Sequence, residues 1–514
     1  MNRQVQYNPR TEFASGRSQF VKHPPNNGTT FEGGDTTGKF PTFCEWNLRS
    51  DDFIDGSKTM LNATFKAVPV ASAVAANQNA FSNGSLNCAI RRVEVLSPGG
   101  GVIEMCDDWN RQFLMLSNVG TSVQQTGLSG SATDLYEDIS TGDQTVAAGG
   151  GSWSGGRSTG VKLNVTNANG AATDPPVCDE FHCSIPLSLS SIFGPNNTKF
   201  IPMCALDGPL ILRVYWTPVW QEAYCTYAAD NAGAAGGGVG SNFNLTNVSL
   251  SLNHIRYDPE TYMRIKESID AAGSVEYDAV QYISSSADVS YASDRVLLGN
   301  TSYRSVAAIY AARYFPVYAP SYVFNCAPGN GERSAVFEVN GERVRGTPLS
   351  SGISSNLLTN VAPFAMSTIV CSRAAKDIHD CNSQLVPQER TSSTLGKSAG
   401  FTNLNDVAIV PNTYVAALPP PTNAPTQLAA TLSKFGGVSK ALDGYFWMNG
   451  FDLTEVEGGT GHNRRGRDMR GKQCVYVTDV TNNITATQLC RLQCSLVVNC
   501  KMIIENGTMR CERD

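Results

Sequence analysis

A chain of 514 residues is too long for one hydrophobic core and predicts two domains of roughly 200 to 250 residues each. Only 16% of its residues are charged, against the ~25% usual in globular proteins. The net charge of −6 argues against a protein whose main partner is bare nucleic acid, because phosphate binding needs a cationic face.

The opening, MNRQVQYNPRTEFASG, has no apolar core and does not read as a signal peptide. No run approaches the ~18 apolar residues of a membrane-spanning helix. Folding in a reducing compartment is therefore expected. The 15 cysteines are scattered singly, as at Cys88, Cys204 and Cys326, and are expected to act as small buried hydrophobes. On the same grounds the Asn-x-Ser/Thr triplets at Asn62, Asn164, Asn244, Asn300, Asn483 and Asn506 are expected to stay unglycosylated.

Residues 1–43 are polar, with Gly, Pro and Asn clusters, and predict an extended N-terminal arm without a core of its own. From Phe43 onward short apolar runs alternate with turns. LNATFKAV sets Leu61, Ala63 and Phe65 against Asn62, Thr64 and Lys66, and PLILRVYW sets Leu210, Leu212, Val214 and Trp216 against Ile211, Arg213 and Tyr215. That period of two marks strands with one face on a core. Asn340-Gly341 between two alternating runs predicts a tight hairpin, and Asn506-Gly507 marks another turn.

Two stretches read as helix. Residues 102–118 place Ile103, Cys106, Trp109, Phe113 and Leu116 near the 3.6 period. After Asp258 come Pro259, Glu260 and a stripe of Tyr262, Ile265 and Ile269, the pattern of a capped helix. The Gly/Ala-rich segments 141–156 and 230–242 and the Pro-rich ALPPPTNAPTQ predict long surface loops. The expected architecture is all-β: a first sandwich over 44–257, a helical link over 258–274 and a second sandwich over 275–514.

Chemistry-bearing constellations are sparse. His23, His182, His254, His379 and His462 form no His-x-His or His-x₃-His pattern. His182 with Cys178 and Cys183, and His379 with Cys371 and Cys381, lack zinc-site spacing, so no metal or cofactor is expected. No phosphate-cradling or nucleophile-elbow motif occurs. Glu104, Asp107 and Asp108 read as the acidic face of one helix, turned toward solvent or a neighbour rather than across a catalytic cleft. Arg464, Arg465, Arg467, Arg470 and Lys472 form the most basic cluster, expected to be a solvated loop or a salt-bridge site between subunits. No catalytic residue is expected.

One segment carries a resemblance. Ile185-Pro186-Leu187, Ile192-Phe193-Gly194, Lys199-Phe200-Ile201-Pro202 and the strand Leu210 to Trp216 occur in an order that resembles the first jelly roll of double jelly-roll major capsid proteins. That lineage includes tectiviruses, adenoviruses, virophages, polinton-like viruses and large DNA viruses. The segment at 102–118, the helix after Asp258, GRDMRGK and the closing strand–NGT–strand agree with it. The resemblance implies two tandem eight-stranded jelly-roll sandwiches with a few short inserted helices. It also implies a homotrimer forming a pseudo-hexagonal capsomer of an icosahedral virion assembled in the host cell. Implied partners are neighbouring capsomers, minor capsid and penton proteins, with an internal membrane left open; no specific nucleic-acid binding and no enzyme activity are implied. The arm is then expected to run beneath or between capsomers.

Two other readings are less well matched. A glycan-binding or spike-type β-sandwich predicts a secretion signal or paired carboxylates beside exposed aromatics. A single-jelly-roll coat protein with a protruding domain predicts a strongly basic arm. Here Arg3, Arg10, Arg17, Lys22 and Lys39 face Glu12, Glu32 and Asp35, which is weakly basic.

Overall fold

The computed structural model describes residues 16–36, 38–69, 78–81, 85–113, 144–145, 152–153, 162–167, 176–178, 180–195, 197, 199–227, 240–290, 295–314, 332–343, 349–350, 449–456, 464–480 and 489–513. In the first half the strands begin with β1 (Gly16–His23), β2 (Phe31–Gly34), β3 (Phe43–Leu48), β4 (Phe53–Pro69), β5 (Gln78–Phe81), β6 (Ile90–Leu96) and β7 (Val102–Asp107). They continue with β8 (Gln144–Thr145), β9 (Ser152–Trp153), β10 (Lys162–Asn167), β11 (Pro176–Cys178) and β12 (Phe181–Pro186). Then come β13 (Phe200–Pro202), β14 (Leu210–Trp216), β15 (Tyr224–Tyr227) and β16 (Gly240–Tyr257).

One sheet runs β1-β16-β4-β12, with β2 added on β16 and β13 on β4; a second runs β3-β14-β6-β7. Their apolar faces share one core, in which Leu61, Phe65, Ile185, Leu250 and Leu252 from the first sheet join Trp46, Val93, Leu212 and Val214 from the second. Phe65 and Phe243 stack inside it with ring centroids 5.2 Å apart. The alternation expected of β14 is complete: Leu210, Leu212, Val214 and Trp216 are buried, and Arg213 on the outer face binds Glu45 at 2.7 Å. A flanking sheet, β11-β10-β5-β15, completes this half.

Asp258 caps the helix Pro259–Ala272, its carboxylate accepting from the Thr261 N–H at 2.9 Å. Gly273 ends it with φ 73°, the left-handed conformation that costs glycine least. Tyr262, Ile265 and Ile269 are its half-buried face, as their spacing predicts.

The second half begins with β17 (Ser274–Ser290), β18 (Arg295–Thr301), β19 (Val306–Tyr314), β20 (Glu332–Val339), β21 (Glu342–Arg343) and β22 (Leu349–Ser350). It continues with β23 (Asn449–Asp452), β24 (Thr454–Val456), β25 (Arg464–Gly466), β26 (Lys472–Val480), β27 (Leu489–Glu505) and β28 (Thr508–Glu512). Its sheets run β17-β27-β19-β23, with β28 on β27, and β18-β26-β20-β21, with β22 on β20. Val306, Ile309, Phe337, Tyr476, Leu492 and Val498 fill the core between them. β17 and β27 pair without a register break from Ser274↔Glu505 to Ser290↔Leu489. Both Asn-Gly pairs make the tight turns expected of them, joining β20 to β21 and β27 to β28, with all four residues at positive φ.

Three expectations are corrected. Residues 102–107 are strand β7, not helix; only 109–113 are helical, and 114–118 lie outside the described residues. The pairing of β7 on the edge of β6 outweighs the local helical period. The stretch 141–156 contains the paired strands β8 and β9, and Gly240–Asn242 already belongs to β16. In the segment read as an extended arm without a core of its own, β1 pairs with β16 over eight residues and Phe31 on β2 is fully buried in the first core. Residues 1–15, 230–239 and the Pro-rich loop lie outside the described residues.

The β27–β28 turn reaches across to the first sandwich. Gly507 accepts a hydrogen bond from the Asp207 N–H at 2.8 Å, and a Cβ on Gly507 would lie 2.0 Å from the Asp207 carboxylate. Gly341 has a similar φ but open space around it. Gly507→Ala and Gly341→Ala should both lower the thermal unfolding midpoint through left-handed strain of about 1 kcal/mol. Gly507→Ala should lower it further, because only there must Asp207 also move; equal losses would mean that the close approach contributes nothing.

Candidate functional site: a buried loop and the seam between the sandwiches

Between β12 and β13, which both pair with β4, the chain folds in as a loop. Leu187, Leu189, Ile192 and Phe193 are buried in the first core. Ser190 organises the turn: its Oγ accepts from the Phe193 N–H at 3.0 Å and the Ile192 N–H at 3.3 Å. Asn197 donates to the Ile192 carbonyl at 2.8 Å and accepts from the Lys199 N–H at 2.9 Å. Gly194 packs so tightly that a Cβ would sit 2.1 Å from the Ser190 carbonyl oxygen, so no other residue fits without moving the backbone.

Glu104 on β7 secures this loop from below. It is 2% exposed, and its carboxylate accepts from the Ser190 hydroxyl at 2.8 Å and from the Ser191 N–H at 2.5 Å. Burial raises the Glu104 carboxyl above its ordinary value, and these hydrogen bonds hold part of that rise back. The expectation of an acidic helix face turned toward solvent or a neighbour is thus overturned for Glu104 and Asp108, because β7 is a strand and both residues are buried within the chain. Asp107 pairs with Arg92 across the β6–β7 ladder, and Asp108 is buried and bound to Arg91 at 2.5 Å.

The residues after β7 bind the second sandwich. Ser284 on β17 donates to Asp108 at 2.8 Å, and Ser495 on β27 donates to Gln112 at 2.6 Å. Gln281 on β17 donates to the Ile103 carbonyl at 3.1 Å, and Arg513 donates to Gln281 at 2.8 Å. The Met509 N–H on β28 donates to Ser97 at 2.9 Å. Between these polar contacts, Tyr277, Cys500, Met502, Ile504 and Met509 of the second half join the core cluster of the first. Just behind the seam, Arg111 and Glu222 form a buried ion pair at 2.7 Å, with Asn110 donating to Glu222 at 2.8 Å. Such a buried pair is weak evidence of stability, since desolvation offsets its attraction, but losing one partner would leave the other charge uncompensated.

The remaining expected residues fall elsewhere. Arg464 and Arg465 lie on β25, their side chains outside the described residues. Arg467 makes a two-way backbone bridge to Val306, and its guanidinium binds Glu342 of the same chain at 2.6 Å. Arg470 pairs with Asp468 at 2.8 Å and holds its carboxyl below the ordinary range. His182 meets the Thr64 hydroxyl at 2.8 Å. His23 and His254 stack, with Nε2 atoms 3.1 Å apart, and burial lowers the pKa of both. Their sequence separation hid that contact, which arises only from the pairing of β1 with β16. The Cys371, His379, Cys381 group and His462 lie outside the described residues, as does the Cys178 side chain beside His182. Among the described residues no group of three or more His, Cys, Asp or Glu is placed to hold a metal.

No family model and no curated protein matches the chain. Among solved structures it is similar to VP54 of PBCV-1, which has been fitted into a cryo-EM reconstruction of the virophage Sputnik. The TM-score is 0.50 at 11% identity, over 97% of each chain. The major capsid protein of mavirus gives 0.49 at 12% identity, over 97% of this chain and 90% of the other. That of Faustovirus gives 0.47 at 10% identity, over 98% and 92%. The chain therefore has the VP54 fold nearly from end to end, an all-β pair of jelly-roll sandwiches in tandem.

The raised Glu104 pKa fixes a pH dependence. The folded state holds this proton more tightly than the unfolded chain does. Its stabilising effect is thus complete below the unfolded value and is lost as pH rises through the folded one. Glu104→Gln removes the titration, so raising the pH from about 4 should lower the wild-type unfolding midpoint relative to the variant's. Glu104→Ala should cost about 1–3 kcal/mol throughout, because it leaves the Ser190 hydroxyl and Ser191 N–H unpaired. Parallel pH courses for wild type and Glu104→Gln would contradict the assignment.

Proposed function

We propose that this protein is a major capsid protein, a structural component of a virion with no catalytic role. The observation that carries the reading is the whole-chain VP54 fold, since VP54 itself has been fitted into a virus-particle reconstruction. The order of motifs from Ile185 to Trp216 supports it, and so does the use made of that segment, which is buried as framework.

In this reading three copies assemble into a capsomer of pseudo-hexagonal outline, six sandwiches around one axis, and capsomers tile an icosahedral shell. Closed cyclic symmetry is the ordinary solution for identical subunits. Exposed apolar side chains give such contacts material to bury: Val102 and Met105 on edge strand β7, Phe20 on edge strand β1, Phe200 on β13 and Leu297 on β18. The basic loop from Arg464 to Lys472 stays a contact for a neighbouring copy only in residues other than Arg467, whose carboxylate partner here is Glu342. Minor capsid and penton proteins would complete the shell at positions where three-fold capsomers cannot.

The purified chain should run as a trimer in mass measurement and show hexagonal outlines in negative stain. Val102→Asp with Met105→Asp should reduce trimer yield while circular dichroism remains that of a folded β protein. A chain that stays monomeric under all assembly conditions would contradict the proposal.

A further inference from the structure

Cysteine is the reactive residue that the shell role leaves unused. Most of the described cysteines behave as small core residues. Cys44 and Cys106 are enclosed, and burial pushes both thiols well above their ordinary values. The β27–β28 hairpin differs. In its register Met502 faces Cys511, which places Cys500, two residues further along β27, on the same face and diagonal to Cys511. The Cys500 thiol donates to the Ala279 carbonyl on β17 at 3.5 Å. Cys500 is buried and Cys511 only partly so. Both belong to the apolar face that packs against the first sandwich, two residues from Met509 at the turn.

We propose that Cys500 and Cys511 are a redox-responsive dithiol that closes to a disulfide by exchange with a small-molecule disulfide such as oxidised glutathione. Cys511 is the attacking group. The neighbouring Cys500 thiol favours its thiolate, and the nearby Arg513 guanidinium, anchored on Gln281, adds to this. Cys500, next to that thiolate and buried, is pushed up and keeps its proton until it resolves the intermediate.

The exchange balances. The Cys511 thiolate attacks one sulfur of oxidised glutathione, forms a mixed disulfide and expels one glutathione thiolate. Cys500 then loses its proton to solvent, and its thiolate attacks the Cys511 sulfur and expels the second glutathione thiolate. Two protein thiols lose two protons and two electrons, and one oxidised glutathione becomes two reduced ones. Diagonal positions lie roughly 7 Å apart between Cα atoms, at the upper limit of disulfide geometry. The bond therefore needs a small shift of β28, which among the described pairings is held by β27 alone. Its effect is to clamp β28, and with it the Met509–Ser97 and Arg513–Gln281 contacts, onto the seam.

The test uses the full-length native protein with oxidised glutathione at mildly alkaline pH, then blocking of remaining thiols, trypsin digestion and mass spectrometry. The expected product is a peptide pair joined between Cys511 and Cys500, with fragmentation placing the bond on Cys500 rather than Cys494. The thermal unfolding midpoint should rise on oxidation. Cys500→Ser should instead accumulate the glutathione adduct on Cys511 and show no such rise. In wild-type protein, both cysteines recovered blocked, or glutathione retained on Cys511, would overturn the proposal whatever the variant does.

Discussion

The structure depends on one constraint: the second sandwich covers apolar surface that the first leaves open. Met502, Ile504 and Met509 cannot be exposed without cost, since burying such a side chain contributes about 1.5–3 kcal/mol, and here they are buried against the first half. The polar contacts at the edges of that patch fix its register. Ser97, Asp108, Gln112 and the Ile103 carbonyl each meet a specific group on β17, β27 or β28. Hydrophobic burial is non-directional, so the orientation of one sandwich on the other comes from these hydrogen bonds and from the contact of Gly507 with Asp207.

Glu104 extends the same logic into the first sandwich. A carboxylate with almost no exposure is costly, yet it holds the Ser190–Ser191 turn from the opposite sheet. β7 therefore serves two purposes. Glu104 ties down the loop after β12, and the Ile103 carbonyl receives Gln281 from the second half. The buried loop and the seam are mechanically continuous through one six-residue strand.

Much of this was legible in the sequence where local pattern and tertiary environment agree. β14 alternates without exception because one face meets the core and the other meets Glu45 and solvent. Asn340-Gly341 and Asn506-Gly507 specify their turns by backbone conformation alone. Asp258 and Pro259 specify the helix start in the same way. The pattern misled at β7, where Ile103 and Cys106 are spaced three apart, as they would be on a helix. Both are buried in a strand only because the β6–β7 register is irregular at Val95/Leu96. β1 gave no alternation because nearly all of its residues remain exposed, and its order comes from pairing with β16. The inward turn of Glu104 has no local signature, since it is created by strands that come together across the fold.

If the seam makes one block of the two sandwiches, they should unfold together, although a domain of this size and core could melt alone. Differential scanning calorimetry of the full chain tests this most directly. The account predicts a single cooperative transition whose calorimetric and van't Hoff enthalpies agree. Two separated transitions, one for each sandwich, would contradict it.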